Sequence, residues 1–188
     1  MKQFIVLVAA ILSVVNSKPM ITKDKWVKDL IYLAKSRSEY SNKYPYNQLY
    51  FDGLKWYTDC INIHKALFNG RDIYNPRRQN ILPDPINTDN ISAEGLINTC
   101  TNVSKDFKKL KNGEPRILFL NGHIGAYLGK EITISKGVVN VVEATPAWEH
   151  KILFSYVDSN GNRRYFKESN NIRGKWERHG KPSKWVQY

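Results

Sequence analysis

The chain has two cysteines, and one of them, Cys60, directly follows Asp59 at the head of an apolar run with helical spacing, "DCINIHKALF". A thiol at a helix start faces unpaired backbone N–H groups and the positive end of the helix dipole. Both favour the thiolate, which is the nucleophilic form. Such a nucleophile needs a base, and four histidines are available: His64, His123, His150 and His179. His123, in "LNGHIGAYLGK", has the most informative context. It follows an Asn-Gly pair and is flanked by Gly122 and Gly125, which let a substrate or a helix approach the backbone closely. His64, one helical turn after Cys60, is an alternative base and, with His150, an alternative metal ligand. No CxxC or HxxxH spacing accompanies them, so no metal and no cofactor is expected. The competing role for the thiol is structural: a Cys60–Cys100 disulfide would form in an oxidising compartment and leave no nucleophile.

These residues must be placed by helices that come first and strands that come later. "TKDKWVKDLIYLAKSRSEY" puts Trp26, Leu30, Leu33 and Ala34 at helical intervals behind the N-cap candidate Thr22, with Asp24 in the first turn. The stretch "YSNKYPYNQLYFDGLKWY" is aromatic, turn-rich and not expected to be regular. Thr58 or Asp59 then caps a helix that buries Ile61, Ile63, Ala66, Leu67 and Phe68, with Cys60 in its first turn. Residues 70–90 read as a loop rich in Pro, Asn and Asp, and "SAEGLINTC" as a short helix capped by Ser92. Beyond Gly113 the pattern changes to strands: "RILFL", a type I′ hairpin turn at Asn121-Gly122, "HIGAYLG", "VVNVVEAT" and "HKILFSYV". A second Asn-Gly, Asn160-Gly161, leads to "RRYF". The order describes an α+β domain in which an antiparallel sheet packs on the Cys-bearing helix.

At 188 residues the chain is long enough for one domain with its own core rather than two. "FIVLVAAILSVV" behind Lys2 is too short to span a bilayer, and "VNS" offers small residues for cleavage, so residues 1–17 read as a secretory signal. Residues 18–39 are then an N-terminal helical region, and 40–188 the main domain. A net charge of +12 sets up a field that concentrates polyanions: nucleic acid, acidic wall polymers or anionic membranes. The segment from Lys151 to Tyr188 is especially basic. Asn90 and Asn102 head sequons that matter only in a eukaryotic source. Trp148 and Trp176 suit either a groove wall or the core.

"TDC" at a helix start, then "GHIGAYLG", then "VVNVVEATPAW" resembles the NlpC/P60 cysteine peptidases. "NISAEGLINTC", "EATPAWEHKI" and the tail "KWERHGKPSKWVQY" are similar to a clostridial and phage-like branch of that family, so the resemblance covers about residues 40–188. It implies a papain-like fold, N-terminal helices with the cysteine at a helix start, and a sheet carrying the histidine. It also implies a Cys60 nucleophile, a His123 base and a third residue at Glu143, whose carboxylate would fix the imidazole tautomer. A solvent-facing strand residue is the other reading of Glu143. Tyr46 resembles a family tyrosine that polarises the scissile carbonyl, with Tyr44 and Tyr50 as alternatives, and Asp59 accompanies the nucleophile. His179, shared with that branch, is expected to be structural or to line the cleft.

The sequence departs from the family pattern where Leu49-Tyr50 replaces Gly-Gly and "DCIN" replaces "DCSG". The activity implied is hydrolysis of amide bonds in peptidoglycan stem peptides by a secreted, monomeric enzyme. Acidic wall polymers are further partners through the basic surface. No nucleic acid partner and no membrane span after signal cleavage are expected. Two other functions stay open: a non-catalytic cationic binder of walls or polyanions, and an amidase or acyltransferase on the same fold.

Overall fold

The computed structural model describes residues 20–36, 49–51, 54–56, 60–68, 73, 91–145 and 151–188. Among them an α+β architecture is present: an antiparallel sheet of eight strands with three helices. Helix α1 (Lys23–Ser36) starts where Thr22 Oγ1 accepts a bond from the Lys25 N–H at 3.3 Å. Trp26, Leu30, Leu33 and Ala34 are all buried, as the helical spacing requires. Asp29 is buried with them and holds Lys25 through an ion pair of 2.6 Å. Helix α2 (Asn62–Phe68) buries Ile63, Ala66, Leu67 and Phe68. Its first hydrogen bonds run to the Ile61 carbonyl, so Cys60 stands in the turn that leads into the helix rather than within its first turn. In α3 (Ala93–Asn98), Ser92 Oγ accepts from the Gly95 N–H at 3.0 Å, the cap read from sequence.

The strands are β1 (Ile21–Thr22), β2 (Leu49–Phe51), β3 (Leu54–Trp56), β4 (Thr101–Ser104), β5 (Arg116–Leu120), β6 (His123–Ile134), β7 (Gly137–Thr145), β8 (Lys151–Val157), β9 (Asn162–Arg164), β10 (Ile172–Lys175), β11 (Arg178–Lys181) and β12 (Val186–Gln187). The large sheet has the order β10-β9-β8-β7-β6-β5-β11-β4. β1 and β12 form a short parallel pair, so the C-terminus returns to the start of α1.

Two sequence expectations are corrected. Residues 49–56, expected to be irregular, contain the β2-β3 hairpin, with Leu49 opposite Trp56. Its connecting residues by sequence are Asp52-Gly53, a hairpin dipeptide whose signal was masked by the surrounding aromatics. The Asn121-Gly122 turn is not type I′, because φ is positive only at Gly122 (74°) and not at Asn121. That is the sign pattern of a type II turn. Residues 1–17, the loop 70–90 except Ile73, and the helix caps Thr58 and Asp59 lie outside the described residues. Among the described residues no helix is long and apolar enough to cross a membrane.

Alternation along the strands gives the sheet two different faces. Ile117, Phe119, Ile124, Ala126, Leu128, Val142, Ala144 and Ile152 turn to one core, shared with α1, α2, α3 and Cys60. Leu118, Tyr127, Val141 and Val157 turn to a second, smaller cluster closed by Phe107 and Trp176. His123 is the first residue of β6, on the face of the strand that also carries Gly125 and Tyr127.

Candidate active site

Cys60 and Cys100 are both free, buried thiols, so the disulfide alternative is not realised. Cys100 has a structural role. Its Sγ donates to the Leu96 carbonyl at 3.5 Å, and burial pushes its pKa up to about 12 against the opposing charge of Arg116. A thiol so placed stays protonated at neutral pH. Cys60, in contrast, lies close enough to the ring of His123 to raise its pKa.

His123 has two neighbours for its two nitrogens. Nε2 lies 2.7 Å from Glu143 Oε2, which leaves Nδ1 to face the thiol. The register accounts for this meeting: Gly125 on β6 sits opposite Glu143 on β7, and His123 precedes Gly125 on the same face by two residues. Burial lowers the affinity of His123 for a proton, but hydrogen bonds and charge from Cys60 and Glu143 outweigh it and raise the pKa to about 9. The imidazole is therefore an imidazolium at neutral pH.

Glu143 is fully buried, which excludes the solvent-facing alternative. Burial alone would raise its pKa, yet the pKa is lowered because His123 and Arg163 bind the ionised form. Its acceptor positions are filled. Oε1 takes Ser155 Oγ at 2.5 Å and Arg163 Nε at 3.1 Å, while Oε2 takes an Arg163 amino group at 2.5 Å besides His123. Arg163 is itself buried, so a bidentate guanidinium holds the carboxylate in one plane with one lone pair aimed at the imidazole.

Trp176 completes the arrangement. Its ring stacks on His123 with centroids 5.6 Å apart and planes 19° apart, and the Arg163 guanidinium lies 5.6 Å from its centre. At 1 % exposure Trp176 is a core residue and not a groove wall. Gly125 makes room for it, since a Cβ there would stand 2.8 Å from the indole and 3.4 Å from the Glu143 Cβ. Gly125→Ala is accordingly expected to cost about 1–3 kcal/mol, the usual range for overpacking. A urea midpoint equal to that of the native chain would show that the indole yields freely.

The other histidines are not bases for Cys60. His64 is fully buried against Trp26 and Phe68, and neither of its nitrogens has a hydrogen-bond partner among the described residues. Burial first, and the charge of His123 second, lower its pKa to about 3, so it stays neutral. His179 is also fully buried: Nε2 donates to the Asp106 carbonyl at 3.0 Å, and Nδ1 faces Arg116 at 3.3 Å. That is a structural tie between β11, β5 and the turn at Phe107–Lys109. No cluster among the described residues combines three His, Cys, Asp or Glu side chains suited to a metal ion. Tyr44, Tyr46, Asp59, Trp148 and His150 lie outside the described residues; the backbone of Tyr50 belongs to β2.

The structure thus brings Cys60, His123 and Glu143 into one chain of contacts. It adds Arg163, Ser155 and Trp176, which sequence reasoning did not assign. In "RRYF" only Arg163 and Arg164 belong to β9, and nothing local shows which of the four residues reaches a carboxylate two strands away. No family model, curated protein or solved structure matches the chain.

Proposed function

We propose that the chain is a secreted thiol hydrolase that cleaves amide bonds in peptidoglycan stem peptides. The supporting observation is one imidazole held between a cysteine thiol and a buried carboxylate. The sequence resemblance to NlpC/P60 peptidases supplies the papain-like fold and the substrate class, and the signal-like residues 1–17 supply the secretion.

In this reading the Cys60 sulfur, as thiolate, attacks the scissile carbonyl and a C–S bond forms. The imidazolium of His123 gives its proton to the leaving amine as the C–N bond breaks. His123 then takes a proton from water, whose oxygen attacks the thioester. The C–S bond breaks, the carboxylic acid leaves, and thiolate and imidazolium are regenerated. Glu143 touches no substrate; it is a positioning residue that fixes the Nε2–H tautomer and compensates the imidazolium charge. The oxyanion would be held by the Cys60 N–H and by a tyrosine hydroxyl, for which Tyr46 is the candidate from sequence.

The two cysteines provide an internal control. Brief iodoacetamide treatment of the native chain at pH 6–7, followed by peptide mass spectrometry, is expected to label Cys60 and spare Cys100. The Cys60 rate should drop at least tenfold in His123→Ala. Labelling of both thiols alike, or a rate indifferent to His123, would remove the activated pair. The free state of both thiols also takes away the disulfide on which a binding-only role would draw.

A further inference from the structure

A pocket of about 470 Å³ opens over β6, β7 and β8, with neither Cys60 nor His123 in its lining. Its volume falls within the ~300–1,000 Å³ typical of small-ligand sites. Tyr127 lies four residues along β6 from His123, roughly 13 Å at strand rise. Phe107, Tyr127 and Tyr156 supply rings to its lining, and Lys108, Lys130 and Asn112 stand at its exposed rim.

The charged groups around it are unevenly satisfied. Glu131 accepts from the Tyr156 hydroxyl at 3.0 Å and from Lys167 at 2.9 Å. Asp158 accepts from the Asn160 and Asn162 N–H groups at 2.9 Å and from Arg164 at 3.3 Å. Both acids are therefore held ionised and already compensated, with pKa values below the usual range. The ammonium groups of Lys108 and Lys130 and the hydroxyl of Tyr127 have no hydrogen-bond partner among the described residues. What remains to meet a ligand is two cations, a phenol O–H and the edges of three rings that are otherwise buried. Such a set suits a compact molecule with one anionic group, several hydroxyls and an apolar C–H face.

We infer that this pocket binds an acidic sugar, carrying a carboxylate or a phosphate, as a non-catalytic subsite. The anion lies between Lys108 and Lys130, a sugar hydroxyl accepts from Tyr127, and the sugar's C–H face meets the ring edges that line the pocket. The inference does not depend on hydrolysis at Cys60. It implies that the chain engages a glycan at a site separate from its thiol.

The test uses the full chain carrying Cys60→Ala, which separates binding from turnover. N-acetylmuramic acid, glucose 1-phosphate and neutral N-acetylglucosamine are titrated by NMR at low and high salt. At least one acidic sugar is expected to bind saturably, at least tenfold more tightly than the neutral one, with affinity falling as salt rises. Preference for the muramic acid would identify a carboxylate source, and preference for the phosphate a phosphosugar source. In Lys108→Gln/Lys130→Gln, both exposed positions, the affinity should drop at least tenfold with the melting temperature unchanged, and Tyr127→Phe should weaken binding by several-fold. No saturable binding, equal binding of the neutral sugar, or an affinity untouched by the double lysine variant would each overturn the inference. A chain that binds acidic sugars here but fails to digest peptidoglycan would keep the subsite and remove the proposed activity.

Discussion

His123→Ala is expected to lower amide hydrolysis on peptidoglycan by on the order of 10⁴-fold, and Cys60→Ala by at least as much. Removing the imidazole takes away the acid for the leaving amine, the base for water and the cation that accompanies the thiolate. The double variant should be no worse than the more damaged single one, because the two groups act as a unit. The fold should survive. Without His123, Glu143 still has Ser155 and both contacts of Arg163, so no buried charge is abandoned. Circular dichroism and a cooperative melt therefore accompany the assay. Activity within tenfold of the native chain in either variant would dismiss the pair as catalytic, while loss of the folded state in His123→Ala would show that the contact is primarily structural.

The parts legible in sequence were those fixed by short-range physics. Apolar spacing gave α1, Ser92 and Thr22 gave helix starts, and alternating apolar runs gave β5 to β8. Cys60 and His123 were legible because each stands at a boundary between elements, where the backbone signals are strong. Glu143 entered through a family resemblance, and its burial is a property of the register between β6 and β7. Arg163 was not legible for the same kind of reason: its partner is 20 residues away in the chain. In an isolated strand a basic residue reads as solvated. Trp176 was ambiguous between groove and core until Gly125 and His123 were placed against it.

Arg163→Met is expected to cost about 3–5 kcal/mol of stability near pH 7, the usual loss when one partner of a buried ion pair is removed. The cause is the fully buried carboxylate of Glu143, whose desolvation is the largest influence on its pKa and is outweighed only by its partners. Methionine fills much of the volume and satisfies none of the acceptors. The pH dependence follows from the signs of the two shifts.

In the native chain the lowered pKa of Glu143 adds stability that is present above the unfolded value, roughly 4.3, and is lost as pH falls through the folded one. The raised pKa of His123 adds stability that is complete below roughly 6.5 and is lost as pH rises through about 9. The network thus contributes most between roughly pH 4.3 and 6.5. In Arg163→Met the Glu143 pKa rises, so protonation relieves the buried charge, and the deficit should shrink as the pH is taken from 7 towards 5. Adding Glu143→Gln should recover a large part of the loss, since a neutral amide in that place needs no counter-charge. Arg163→Lys should recover less, because an ammonium restores the charge but not the fork. Urea midpoints across this pH range decide the matter. A deficit under about 1 kcal/mol, or one that grows on acidification, would mean that the ionised form of Glu143 does not depend on Arg163 and that the guanidinium does not set the polarity of the site.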